Sequence, residues 1–128
     1  MPGLEALRVL VVDDQESMQM LIGASLRGLG LKDIVCAGDG VEALEALKRR
    51  TADLILLDLE MPRMGGLDTL KAIRADANLK RAAVIMVTGR ADAGVVREIV
   101  AVGINGFLIK PVSADALKAR IKALYQRA

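Results

Sequence analysis

Histidine is absent from this 128-residue sequence. A histidine nucleophile, general base, metal ligand or phosphohistidine within the chain is therefore excluded. Tryptophan is absent too, and Phe107 and Tyr125 are the only aromatic residues, so stacking of a base or a flavin ring has little to work with. The single cysteine, Cys36, cannot form an internal disulfide and reads as a small hydrophobe in a buried strand. The longest apolar run, Ala82 to Val87, falls far short of a membrane span. The first residues, MPGLEALR, lack the basic region and apolar core of a secretory signal. A large charge excess is also missing: 18 cations against 16 anions leave +2, too little to argue for nucleic acid. Together these absences predict a cytoplasmic protein with no membrane or nucleic-acid partner.

What is present is an ordinary globular composition, 53% apolar and 27% charged, in a length suited to one domain. Short β-branched runs alternate with longer segments of helical period. Strands are predicted at Arg8–Val12, Asp33–Cys36, Asp53–Leu57, Ala83–Val87 and Gly106–Ile109, each apolar enough to be buried on both faces. Met18, Leu21, Ile22, Leu26 and Leu29 mark the inward face of a first helix, ended by Gly30 in a left-handed cap. Asp39 and Glu42 resemble a capping box for a second helix, with Ala43, Leu44 and Leu47 inward. Leu67, Leu70 and Ile73 carry a third helix; Val95, Val96, Ile99 and Val100 carry a fourth behind Asp92; Leu117, Ile121 and Leu124 carry a fifth behind Ser113. Five strand–helix repetitions imply an α/β fold, a parallel sheet with helices on both faces. In such sheets functional groups gather beyond the carboxyl ends of the strands.

The residues that fall there are Asp13 and Asp14 after the first strand, Asp58 after the third, Thr88 after the fourth and Lys110 after the fifth. Adjacent carboxylates beside a buried strand end need a positive charge to offset them. Three carboxylates without a histidine or cysteine partner form a hard oxygen site, suited to magnesium rather than zinc. A lysine and a hydroxyl beside such an ion are what a phosphoryl group needs, and a carboxylate can accept that group as an acyl phosphate.

With their flanks, these strand ends form the motifs VVDD (11–14), LLDLEMPRMGG (56–66), MVTG (86–89) and GFLIKP (106–111). From about Leu7 to Arg127 the sequence resembles the receiver domains of bacterial response regulators, most of all their stand-alone chemotaxis type. The resemblance implies a doubly wound, flavodoxin-like sheet of five parallel strands in the order 2-1-3-4-5, with five helices. It implies Asp58 as phosphoacceptor, supplied by the phosphohistidine of a sensor histidine kinase or a histidine phosphotransfer protein. Asp14 and Asp58 would bind Mg²⁺ directly, with the backbone carbonyl of Glu60, and Asp13 through a coordinated water; Mn²⁺ suits the same ligands. Lys110 would pair with Asp58 and then with a phosphoryl oxygen. Thr88 would hydrogen-bond another phosphoryl oxygen and draw its loop inward, with Phe107 as its switch partner. The Lys110–Pro111 peptide would be cis.

The sequence departs from the chemotaxis pattern in places. Phe107 stands where the switch aromatic is often tyrosine, and Leu59 where the chemotaxis protein has tryptophan. Glu60 and Arg90 occupy the two variable positions that tune phosphoryl lifetime in the family, and a pair across the mouth of the site would impede attacking water. The expected whole is a single receiver domain, residues 1–128 with a core at about 7–127 and no output domain. It would signal as a monomer or weak dimer through a partner bound at about residues 91–127, where cations outnumber anions. It would not be an enzyme, although it assists its own phosphorylation and dephosphorylation. Two-component signalling, with chemotaxis and the flagellar motor as the leading pathway, is the expected setting. A phosphorelay shuttle, a phosphate sink and an unphosphorylated binding module with the same fold are the alternatives. A haloacid-dehalogenase-type phosphatase shares the chemistry, but Asp13-Asp14-Gln15-Glu16 lacks its DxD pattern.

Overall fold

The computed structural model describes residues 3–90 and 92–125. After a short 3₁₀ turn at Leu4–Ala6, the order is β1 (Arg8–Val12), α1 (Glu16–Gly28), β2 (Asp33–Ala37), α2 (Gly40–Arg49), β3 (Leu54–Leu57), α3 (Gly66–Ala75), β4 (Ala83–Thr88), α4 (Ala93–Val102), β5 (Gly106–Ile109) and α5 (Ala114–Tyr125). All strand pairs are parallel and the sheet order is β2-β1-β3-β4-β5, as the resemblance implied. Strand alternation divides the interior into two cores. Val9, Val11, Leu54, Leu56, Ile85 and Val87 pack with Ile22, Leu26, Leu117 and Ile121 of α1 and α5. Leu10, Val12, Ile55, Leu57, Val84 and Met86 pack with Ala43, Leu47, Leu70, Ile73 and Ile99 of α2, α3 and α4. Each such Val, Leu, Ile or Met side chain contributes on the order of 1.5–3 kcal/mol relative to exposure. An exposed ion pair contributes about 0–1 kcal/mol, so the two cores hold the sheet.

The helix ends follow the sequence closely. Gly30 has φ 96°, its N–H donates to the Arg27 carbonyl, and Leu31 N–H donates to the Leu26 carbonyl: a Schellman ending. Asp39 caps α2 by accepting from Glu42 N at 2.9 Å, Asp92 caps α4 through Val95 N, and Ser113 Oγ accepts from Ala116 N. The Lys110–Pro111 peptide is cis.

Burial departs from expectation at the sheet edges and on two helices. Cys36 is exposed rather than buried, and Ile109 is half-exposed, because β2 and β5 are the edge strands. Leu21 and Met20 of α1 face outward, as does Val100 of α4 at 59% exposure. The apolar positions outnumber those the two cores can cover. Of all residues in α4 only Ile99 is fully buried, whereas α1, α2 and α3 each bury four. Asp53 sits one step before β3, with its carboxylate accepting Arg8 N at 2.9 Å.

Candidate functional site

Asp13, Asp58 and Lys110 each hang one step beyond a strand and continue the ladder, and Asp14 follows Asp13. Asp13 N–H donates to the Ala37 carbonyl (3.0 Å), Asp58 N–H to the Val12 carbonyl (2.9 Å) and Lys110 N–H to the Thr88 carbonyl (2.8 Å). The sheet therefore fixes their backbones. Val12 pairs with Leu57, which sets Asp13 beside Asp58 across the switch in strand order.

Asp13 and Asp58 are buried, at 1% and 5% exposure, and Asp14 is exposed. One carboxylate oxygen from each of Asp13, Asp14 and Asp58 lies within 4.8 Å of the others. Lys110 Nζ is 2.8 Å from Asp13 Oδ2 and 3.2 Å from Asp58 Oδ2. The lysine thus bridges both carboxylates rather than pairing with Asp58 alone. Burial first, and then the Asp13 charge, push the Asp58 carboxyl above the ordinary carboxylate range against the opposing pull of Lys110. Burial alone would lower the Lys110 ammonium, but hydrogen bonds and charge from Asp13 and Asp58 outweigh it and raise it. The two directions agree: one ammonium among three carboxylates stays charged and leaves negative charge over.

The donor set fits a hard divalent cation. Asp13 is committed at both oxygens, Oδ1 to Gln15 N at 2.8 Å and Oδ2 to Lys110. Asp14 carries no side-chain hydrogen bond among the described residues, so its oxygens are open. That contrast suits direct binding by Asp14 and Asp58 and an outer role for Asp13.

Thr88 is buried at the end of β4, and its Oγ1 accepts from Arg90 N at 3.2 Å. That bond leaves the hydroxyl proton uncommitted among the described residues. Met86 pairs with Phe107 and Thr88 with Ile109, so Thr88 and Phe107 share one sheet face. Phe107 is partly buried against the core that contains Ile99. Arg90 Nη1 lies 3.4 Å from Glu60 Oε2, and its Nε lies 3.0 Å from Asp92 Oδ2, all three side chains being largely exposed.

Two further contributors, Gln19 and Arg63, carry no clear signal in the sequence, and Gly66 is legible there only as part of the Gly65-Gly66 doublet. Gln19 Nε2 donates to the Asp13 carbonyl at 2.7 Å, bracing the acidic turn from α1. Gly66 approaches the backbone of Asp58 so closely that a Cβ there would collide with the Asp58 carbonyl oxygen. Arg63 pairs with Asp39 at 2.8 Å. A polar residue one helical turn past an acidic pair was the only available hint for Gln19; the Gly65-Gly66 doublet was visible, but not which glycine was indispensable.

Comparison with known proteins identifies the family. The family model described as the response regulator receiver domain matches residues 9–122. The chemotaxis protein CheY of Pseudomonas aeruginosa is 38% identical over 121 residues, 94% of this chain and 98% of that protein. A probable chemotaxis protein CheY of Rhizobium etli is 36% identical, covering 94% of each. Among solved structures, the chemotaxis response regulator CheY4 of Vibrio cholerae superposes with a TM-score of 0.85 at 30% identity, over 92% of this chain and 98% of that one. CheY in a CheX–CheY–BeF₃–Mg²⁺ complex from Borrelia burgdorferi superposes with a TM-score of 0.87 at 27% identity, over 94% and 90%. The strand-end carboxylates, the bridging lysine and these matches lead to one conclusion: the chain belongs to the response regulator receiver domains, with CheY chemotaxis proteins among its relatives.

Proposed function

We propose that this chain is a phosphorylation-operated switch in which Asp58 accepts a phosphoryl group. The observation that carries the proposal is the bridge from Lys110 to Asp13 and Asp58, at 2.8 and 3.2 Å, beside an uncommitted Asp14. A carboxylate oxygen of Asp58 attacks the phosphorus of a phosphohistidine on a sensor kinase or phosphotransfer protein. The P–N bond breaks, its electron pair returns to the imidazole nitrogen, and an acyl phosphate forms on Asp58. Lys110 exchanges its contact with the Asp58 carboxylate for a phosphoryl oxygen, and the Thr88 hydroxyl donates its proton to another. Asp14 and Asp58, with the Glu60 carbonyl, would hold Mg²⁺, and Asp13 would reach it through water; Mn²⁺ suits the same donors. Bound there, the ion supplies charge neutralisation and in-line positioning. Hydrolysis returns the carboxylate and inorganic phosphate, so the chain assists its own turnover without acting on an external substrate.

The downstream partner is proposed to bind about residues 91–127, of which 91, 126 and 127 lie outside the described residues. Thr88 bound to phosphate would draw the β4–α4 loop inward, with Phe107 filling the space it vacates. Glu60 and Arg90 flank the mouth and would slow attacking water. Chemotaxis is the leading setting, on the strength of the CheY relatives. A cytoplasmic site of action is proposed on the same relatives; among the described residues no helix is long and apolar enough to cross a membrane.

The test is intact mass after incubation with acetyl phosphate, with and without Mg²⁺, for the parent and Asp58→Asn. A Mg²⁺-dependent gain of one phosphoryl group in the parent alone is expected. No gain from acetyl phosphate or from a phosphorylated kinase would leave a receiver fold that serves binding only.

A further inference from the structure

Arg63 is the one non-glycine residue among those described with a positive φ, 62°. It forms the middle of a three-residue turn closed by Met64 N–H donating to the Pro62 carbonyl at 2.7 Å. Such a turn is strained for a residue with a Cβ, and it persists only where the surroundings over-determine it. The surroundings here belong to α2. Arg63 Nε donates to Asp39 Oδ2 at 2.8 Å, and Nη2 lies 3.7 Å from Glu42 Oε2. Asp39 is held firmly in turn: its side chain is 7% exposed, and its other oxygen caps α2 through Glu42 N. One residue later, Gly40 N–H donates to the Met64 carbonyl at 3.0 Å. A Cβ on Gly40 would collide with the side chains of Met64 and Thr69. The first turn of α2 therefore grips the acceptor loop at Arg63 and Met64. The loop's far end is closed separately, by Gly66 N–H on the Leu59 carbonyl at 2.8 Å. Glu60 lies between the two fastenings.

We infer that Arg63 is a positioning residue for the metal: its ion pair with Asp39 holds the strained turn and, through it, the carbonyl of Glu60. The inference rests on the phosphoacceptor reading, which makes that carbonyl a ligand. The start of α2 then sets Mg²⁺ affinity without touching the ion, and a change made there reaches the site through the backbone.

Arg63→Ala removes the ion pair and leaves the backbone strain, since alanine keeps a Cβ. Asp39→Asn keeps the cap acceptor and removes the charge. Calorimetric titration of the unphosphorylated proteins with Mg²⁺ is expected to show a dissociation constant raised about tenfold in either variant, the lower end of what lost outer-shell partners cost. The double variant is expected to be no weaker than the singles, because both remove one interaction. Hydrogen exchange of the metal-free proteins supplies a second readout: the Met64 and Gly66 amides exchange faster in both variants, while the Asp13 amide, held on the ladder, does not change. If both variants bind Mg²⁺ within about twofold of the parent, or if their losses add, the ion pair does not position the loop. A parent that binds no Mg²⁺ and takes no phosphoryl group overturns the proposed function, and this inference with it. A parent that does both, matched by the variants, overturns this inference alone.

Discussion

Arg74 Nε lies 3.0 Å from the carbonyl oxygen of Gly103, 29 positions further along the chain, and ties the end of α3 to the end of α4. The same guanidinium reaches the Lys80 carbonyl at 2.9 Å, the Ala82 carbonyl at 2.7 Å and Asn105 Oδ1 at 3.3 Å. These partners are neutral, and burial lowers the pKa of the arginine. Arg74→Ala should therefore destabilise the protein by about 2–3 kcal/mol, the scale of hydrogen bonds to a charged group. Urea unfolding would measure this, and a loss below about 0.5 kcal/mol would place the clamp among ordinary surface contacts.

Gly66→Ala should cost about 1–3 kcal/mol, as overpacking does, because the atoms in the way are the backbone of Asp58 and Leu59. Gly30, with nothing near its missing Cβ, would be strained on substitution only through its φ of 96°. Thermal melts of the two alanine variants, read beside phosphoryl uptake, separate the effects. Only Gly66→Ala should also disturb the acceptor.

Arg90→Ala should shorten the life of the acyl phosphate by about two- to fivefold, since a solvent-exposed pair is a weak barrier. Decay of the phosphorylated mass after donor removal measures the rate. Decay no faster than in the parent would exclude the Glu60–Arg90 pair as a barrier to water.

The metal-free protein should show the sign of the Asp58 shift. Burial and Asp13 raise its folded pKa above the unfolded value, so the folded state holds the proton more tightly. Ionised Asp58 therefore costs stability above its folded pKa, and that cost is absent below the unfolded carboxylate value. In chelator, Asp58→Asn should melt above the parent at pH 7, and the two should converge as pH falls through the carboxylate range. Asp58→Asn melting below the parent at pH 7 would mean that Lys110 outweighs burial. Mg²⁺ at about 100 times its dissociation constant should add about 2.7 kcal/mol to the parent and less to the variant.

The strands, the caps at Asp39, Asp92 and Ser113 and the turn at Gly30 were legible because each depends on local chemistry: period, side-chain acceptors, positive φ. The strand-end residues were legible for a related reason, since a parallel sheet delivers whatever follows each strand to one edge. The strand order came from the resemblance and not from the period. Exposure of Cys36, Ile109, Leu21 and Val100 was not legible, because an apolar residue on an edge strand or a surplus helix face carries the same pattern as a buried one. The Arg63–Asp39 and Arg74–Gly103 contacts span 24 and 29 positions, the first joining a loop to a helix start and the second two helix ends, for which local sequence offers no signal.

The mounting of α4 bears on how a signal leaves the site. With Ile99 as its only fully buried residue and Val95 and Val102 only partly buried, this helix has a light apolar footing, steadied at its start by the Asp92 cap and at its end by the bond from Arg74 to Gly103. Local opening is cheapest where the fewest apolar contacts must be given up. Of the helices flanking the acceptor, α4 is then the one whose amides should exchange earliest in the resting protein, and whose position a pull on Thr88 can reset with the least work.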